Sequence, residues 1–110
     1  MTKKIVNIVA MITAVGMDEA EKVAGRLLAE KKATCVNIIP GVESRYWWRG
    51  KIESAKEYLL IVKSSSDKLE GMIQIVKAIH SYEVPEIIAL SVMGGSTDYL
   101  KWMREELKGG

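Results

Sequence analysis

Four stretches of the sequence have the apolar, β-branched character of strands. They are residues 4–14, 34–48, 51–64 and 84–93. The second is interrupted at Pro40-Gly41, where a bulge or bend is expected because proline has no N–H for a ladder hydrogen bond. Gly50 can adopt a positive φ, so residues 49–51 are predicted to form a tight turn between the second and third strands.

Apolar residues recur at spacings of three and four between these strands, which predicts helices. The first helical face consists of Ala20, Val23, Ala24, Leu27 and Leu28, and the second of Leu69, Met72, Ile73, Val76 and Ile79. Asp18 with Glu21, and Asp67 with Glu70, have the spacing of a capping box and are predicted to start these helices. A third, shorter helix is predicted after the glycines at 94 and 95.

The predicted order is β-α-β-β-α-β followed by a helix, which is the split βαβ, ferredoxin-like arrangement. Right-handed crossovers would place both main helices on one face of a four-stranded antiparallel sheet. With 110 residues, 48% hydrophobic and 27% charged, the composition is that of one globular domain. We therefore expect a single α+β domain over residues 1–110.

The other face of the sheet is not expected to be open to water. A sheet that is wet on one side alternates apolar and polar positions. Residues 59–62 and 87–90 instead place apolar side chains consecutively. At the hairpin, Tyr46 and Trp48 should point to one face and Trp47 to the other. The sequence therefore predicts that further subunits cover the second face and the hairpin rings.

Charge and cysteine content limit which partners and which cellular compartment are expected. Sixteen Lys and Arg residues against fourteen Asp and Glu give a net charge of +2, with both signs mixed along the chain. Nucleic acid and anionic membranes need a concentrated basic face, so neither is an expected partner. The single cysteine, Cys35, has no internal disulfide partner, and the apolar start leads into a helix with no small-residue cleavage site. We expect a cytoplasmic protein.

Three segments carry a resemblance to a known family. They read CVNIIPGVESRYWWRGKIE, HSYEVPEIIAL and YLKWM. They resemble the Cys-x-Asn strand, the Tyr-x-Trp-x-Gly-Lys-Ile hairpin and the His-x-Tyr-Glu-x-Pro-Glu-Ile segment of the CutA-type divalent-cation tolerance proteins, and the resemblance extends over essentially the whole chain. It implies a cytoplasmic, ferredoxin-like homotrimer linked to tolerance of copper and other divalent metals. Its implied trimer interface contains Tyr46, Trp47, Trp48 and Lys51.

Cys35, His80 and Glu83 are the candidate metal ligands. They offer the thiolate, imidazole and carboxylate that a soft or borderline divalent ion prefers. Paired spacings such as CxxC or HxxxH, typical of structural zinc sites, do not occur. The alternative is that Cys35 is a small buried hydrophobe and His80 caps the second helix. We expect weak binding of copper or another divalent cation at inter-subunit positions, and no tightly bound cofactor.

Other functional classes have less support. A trimeric module resembling the PII regulators, binding a small ligand or partner protein between subunits, is the main alternative. The third strand lacks the aromatic pattern of a βαββαβ RNA-binding domain. No enzyme is predicted, because Cys35 and His80 lack an orienting third group for nucleophilic catalysis. Glu83 and Glu86, on either side of Pro85, are interpreted as a polar strand entry rather than a catalytic pair.

Overall fold

A computed structural model describes residues 4–109 of the chain, so residues 1–3 and 110 of the predicted domain lie outside it. Strands and helices follow in the predicted order. They are β1 (Asn7–Ala14), α1 (Met17–Ala29), β2 (Cys35–Trp48), β3 (Lys51–Ser65), α2 (Leu69–Ile79), β4 (Ile87–Ser91) and α3 (Thr97–Glu106), with a 3-10 turn at Ser66–Lys68 before α2. Across residues 4–109, none of the helices combines the length and apolar character that crossing a membrane requires.

The four strands form one antiparallel sheet in the order β2-β3-β1-β4. Alternate side chains of β1 and β3 pack with the apolar faces of α1 and α2 into one core. Its fully enclosed members include Ala10, Ile12, Val23, Leu27, Leu60, Val62, Met72 and Val76. Both main helices therefore cover the same face of the sheet, and the predicted ferredoxin-like α+β fold is confirmed.

The opposite face of the sheet, called the outer face below, is covered only in part. Helix α3 packs near the start of β2, where the Thr34 hydroxyl donates a hydrogen bond to the carbonyl of Met103 at 3.2 Å. Met103 is buried there. On β4 at the other edge, Ile88 is 51% exposed and Leu90 is 55% exposed. One chain therefore leaves apolar sheet surface in water.

The β2–β3 hairpin extends from the pair Cys35 and Lys63 to the pair Trp48 and Lys51. It makes the molecule elongated, with extents of 42 × 30 × 26 Å and a radius of gyration of 14.6 Å, against about 13 Å for a compact domain of roughly 100 residues. The predicted bulge is confirmed, because the register shifts between Ile39 and Val42.

The hairpin turn contains two residues rather than the predicted three. Arg49 and Gly50 have φ values of 50° and 80°, which is the left-handed pair of a type I′ turn. Lys51, predicted within the turn, instead begins β3 opposite Trp48. The positive φ predicted for Gly50 is confirmed. This turn favours the right-handed twist of the two strands that it joins.

The predicted capping boxes are wrong, because both helix starts lie elsewhere. Gly16 is the N-cap of α1, so no side chain caps this end of the helix. Counting from Gly16, the third helical residue is Glu19 rather than Glu21. Glu19 Oε2 accepts a hydrogen bond from the backbone N–H of Val15 at 3.0 Å. Before α2, Asp67 lies inside the 3-10 turn and accepts a hydrogen bond from the Ser65 hydroxyl.

Replacing Gly50 with alanine should destabilise the hairpin. A Cβ at Gly50 would meet no atom within 4 Å, so the cost comes from the positive φ alone and should be about 1–2 kcal/mol of unfolding free energy. Gly94→Ala is the matched control, since Gly94 also has open space around it and no positive φ. Urea unfolding of both variants measures the difference. Equal stability of the two variants would contradict the left-handed turn.

Candidate functional site

An open cleft of about 880 Å³ lies between the outer half of the hairpin and the segment that joins α2 to β4. One wall is the second half of β2, and the other wall is the segment of residues 81–86. The cleft is lined by Thr13, Glu43, Ser44, Arg45, Tyr46, Trp47, Trp48, Glu57, Ser81, Tyr82, Glu83, Val84, Pro85 and Glu86. Its volume is in the range of small-molecule sites.

Strand alternation decides which rings face the cleft. Val42 pairs with Glu57, and Tyr46 and Trp48 follow at two-residue steps on the same strand, so their side chains share one face of the hairpin. Trp47 also borders the cleft, but strand alternation directs its side chain to the opposite face, where it pairs with Ile52. Trp47 is 70% exposed and Ile52 is 66% exposed. The hairpin therefore has one face toward the cleft and one bare apolar face.

Two contacts join the walls of the cleft. At the turn, the guanidinium of Arg49 lies 3.3 Å from Glu83 Oε2 and 5.2 Å from the ring centre of Trp48. Deeper in the cleft, the Tyr82 hydroxyl donates a hydrogen bond to Glu57 Oε2 at 2.7 Å. The outer pair is exposed and contributes little stability. The inner bond fixes the position of residues 81–86 against β3.

His80 holds the start of the same segment. Its side chain is fully buried, and its Nδ1 accepts a hydrogen bond from the backbone N–H of Tyr82 at 3.0 Å. Nε2 lies 2.6 Å from the carbonyl oxygen of Thr13. Since Nδ1 acts as an acceptor, the proton is on Nε2 and the imidazole is neutral in this arrangement. His80 therefore ends α2, as predicted, without acting there as a cation.

Glu19 ties the N-terminus of α1 to the same segment. Its carboxylate accepts hydrogen bonds from the backbone N–H of Ser81 at 2.7 Å and of Val15 at 3.0 Å. Burial alone would raise the pKa of Glu19, but these hydrogen bonds from Val15 and Ser81 give a net lowering of the pKa. The ionised carboxylate is therefore the form that holds the segment.

The floor of the cleft carries carboxyl groups in a partly desolvated setting. Glu57 is only 4% exposed. Burial raises the pKa of Tyr82, and the hydrogen bond to Glu57 raises it further, so the phenol stays protonated as a donor. Desolvation also raises the pKa of the Glu86 carboxyl, with a further contribution from the charge of Glu57. Glu57 and Glu86 both line this cleft.

The three predicted metal ligands do not meet within one chain. His80 contacts the Thr13 carbonyl, while Cys35 pairs with Lys63, which pairs in turn with Val9. Thr13 and Val9 are four residues apart on β1, or about 13 Å at the strand rise. Glu83 is exposed and is paired with Arg49. Among residues 4–109, no group of three or more His, Cys, Asp or Glu side chains is placed to hold a metal ion. A site shared between chains stays a prediction.

Cys35 is half-buried at the start of β2, next to Thr34, whose hydroxyl donates a hydrogen bond to the Met103 carbonyl on α3. Burial raises the pKa of Tyr99, and the Cys35 thiol beside it raises the pKa further. Cys35 thus lies near α3, at the end of the sheet remote from the cleft. The predicted interface residues Tyr46, Trp47, Trp48 and Lys51 all lie near the hairpin turn and are all exposed in the single chain.

Sequence reasoning missed three residues that build the cleft. The sequence assigns no role to Glu19 or Glu57, and Tyr82 enters only as part of the motif HSYEVPEIIAL. Their partners lie far away in sequence, since Ser81 is 62 positions from Glu19 and Tyr82 is 25 positions from Glu57. The strand period gave no signal for Glu57, because the alternating buried positions of β3 are Leu60, Val62 and Ser64, and Glu57 has the opposite parity.

The fold and the cleft define a small ferredoxin-like protein with a long aromatic hairpin. The family described as CutA1 divalent ion tolerance protein matches residues 8–106. The chain belongs to this family, and the resemblance found in its sequence motifs is confirmed.

Relatives of known name cover most of the chain. It is 45% identical over 97 residues to the divalent-cation tolerance protein CutA of Archaeoglobus fulgidus, covering 88% of this chain and 94% of that protein. It is 42% identical over 102 residues to the chloroplastic protein CutA 1 of Oryza sativa, covering 93% of this chain. The chain spans only 58% of that rice protein and 59% of the chloroplastic CutA of Arabidopsis thaliana.

Solved structures of the family have the same fold. The crystal structure of CutA1 from Oryza sativa superposes with a TM-score of 0.91 at 41% identity, covering 96% of each chain. The divalent cation tolerance protein from Thermus thermophilus gives a TM-score of 0.89 at 40% identity, covering 91% of this chain and 97% of that one. The long hairpin and the terminal helix are therefore part of a shared architecture.

Replacing Glu19 with glutamine should lower stability by roughly 1–2 kcal/mol at pH 7, since two backbone N–H groups lose a charged acceptor. Because the pKa of Glu19 is lowered in the folded chain, its contribution is complete above the unfolded value of about 4.3 and disappears as the pH falls through the folded pKa. Urea unfolding of wild type and Glu19→Gln from pH 7 to pH 2 measures this effect.

Glu21→Gln is the matched control, because Glu21 is exposed on the same helix. It should leave the unfolding free energy within about 0.5 kcal/mol of wild type. If the stability gap of Glu19→Gln stays the same down to pH 2, the charge of Glu19 does not hold residues 81–86.

Proposed function

We propose that this chain acts in divalent-cation tolerance as a homotrimer that binds metal ions weakly at inter-subunit positions. Membership of the CutA1 divalent ion tolerance family carries the first part of this proposal. Several relatives that are named divalent-cation tolerance protein match this chain over most of their own length. Copper is the proposed ion because the candidate ligands include a thiol and an imidazole.

The uncovered apolar surface supports the proposed assembly. Trp47 and Ile52 form an exposed apolar pair near the end of the hairpin, and Ile88 and Leu90 form another on β4. Covering two such patches between neighbouring chains would remove apolar area from water at about 25 cal/mol per Å². A closed ring of identical chains uses both patches without leaving either exposed.

The proposed metal ligands are Cys35, Glu83 and His80, contributed by more than one chain. Glu83 is exposed, so its carboxylate can turn from Arg49 toward an ion. The Cys35 thiol is half-buried next to α3. His80 must break a hydrogen bond to Thr13 or Tyr82 before it can coordinate. This cost favours weak binding over a dedicated site.

A second candidate function is the reception of a small ligand, as in the PII-like regulators. The observation that favours it is the cleft of about 880 Å³ between the hairpin and residues 81–86. Such a ligand site would serve a signalling or adaptor role. In either case the proposed location is the cytoplasm, although relatives carry the descriptions chloroplastic and periplasmic.

Titration calorimetry with Cu(II) tests the metal proposal. The wild-type protein should give weak, saturable heats, and both Cys35→Ser and Glu83→Gln should reduce the affinity about tenfold or more. His80→Ala should also weaken binding, and circular dichroism must show that this variant is folded because His80 is buried. Glu105→Gln, which removes an exposed carboxylate on α3, is the control and should bind copper as wild type does.

Unchanged heats in Cys35→Ser, Glu83→Gln and His80→Ala would rule out the proposed ligand set. The second candidate function would then be the better account. Equal weakening in Glu105→Gln would show that copper binds the surface without selecting these residues.

A further inference from the structure

We draw no further inference here: the strongest candidate, the side-chain cluster of Cys35, Lys63 and Tyr99 where α3 packs against the start of β2, rests on a lone cysteine that already belongs to the proposed metal ligands, and no second feature of residues 4–109 points to another ligand there.

Discussion

Pairing of β2 with β3 along the whole hairpin is the interaction on which the rest of the molecule depends. It runs from Cys35 opposite Lys63 to Trp48 opposite Lys51, well past the two layers that form the core. Beyond the core, the ladder, the type I′ turn and the hydrogen bond of Tyr82 to Glu57 hold the two strands in place. The register of this strand pairing therefore decides to which face of the hairpin each aromatic side chain near the turn points.

The bulge in β2 decides which rings face the cleft. Before it, Ile39 pairs with Leu59, and after it Val42 pairs with Glu57, so three residues of β2 advance against two of β3. This extra residue exchanges the two faces of β2. Without it, Trp47 rather than Trp48 would share the face of Glu57. One proline-glycine pair thus sets both the lining of the cleft and the identity of the exposed apolar face.

Much of this architecture could be predicted because it depends on local pattern. Helical and strand periods gave the element order, Pro40-Gly41 gave the bulge and Gly50 gave the turn. The predicted start of α1 was wrong because its N-cap is Gly16, in an extended conformation. The carboxylate that accepts a backbone hydrogen bond at this end of the helix is therefore that of Glu19. The cleft could not be predicted, since the bond between Tyr82 and Glu57 joins residues that only the folded sheet brings together.

His80 shows how a plausible ligand in the sequence can have a structural role in the chain. Its two ring nitrogens join the end of β1 to the segment of residues 81–86, which forms one wall of the cleft. His80 therefore connects strand β1 of the core sheet to the wall of the cleft. His80 lies within residues 8–106, which match the family.

One chain exposes apolar surface on the hairpin and on β4, which identical neighbours cover in the proposed trimer. Sedimentation equilibrium over a wide range of protein concentration measures this assembly. We expect a mass three times the 12.2 kDa of one chain, unchanged on dilution. A stable species with the mass of a single chain would contradict it.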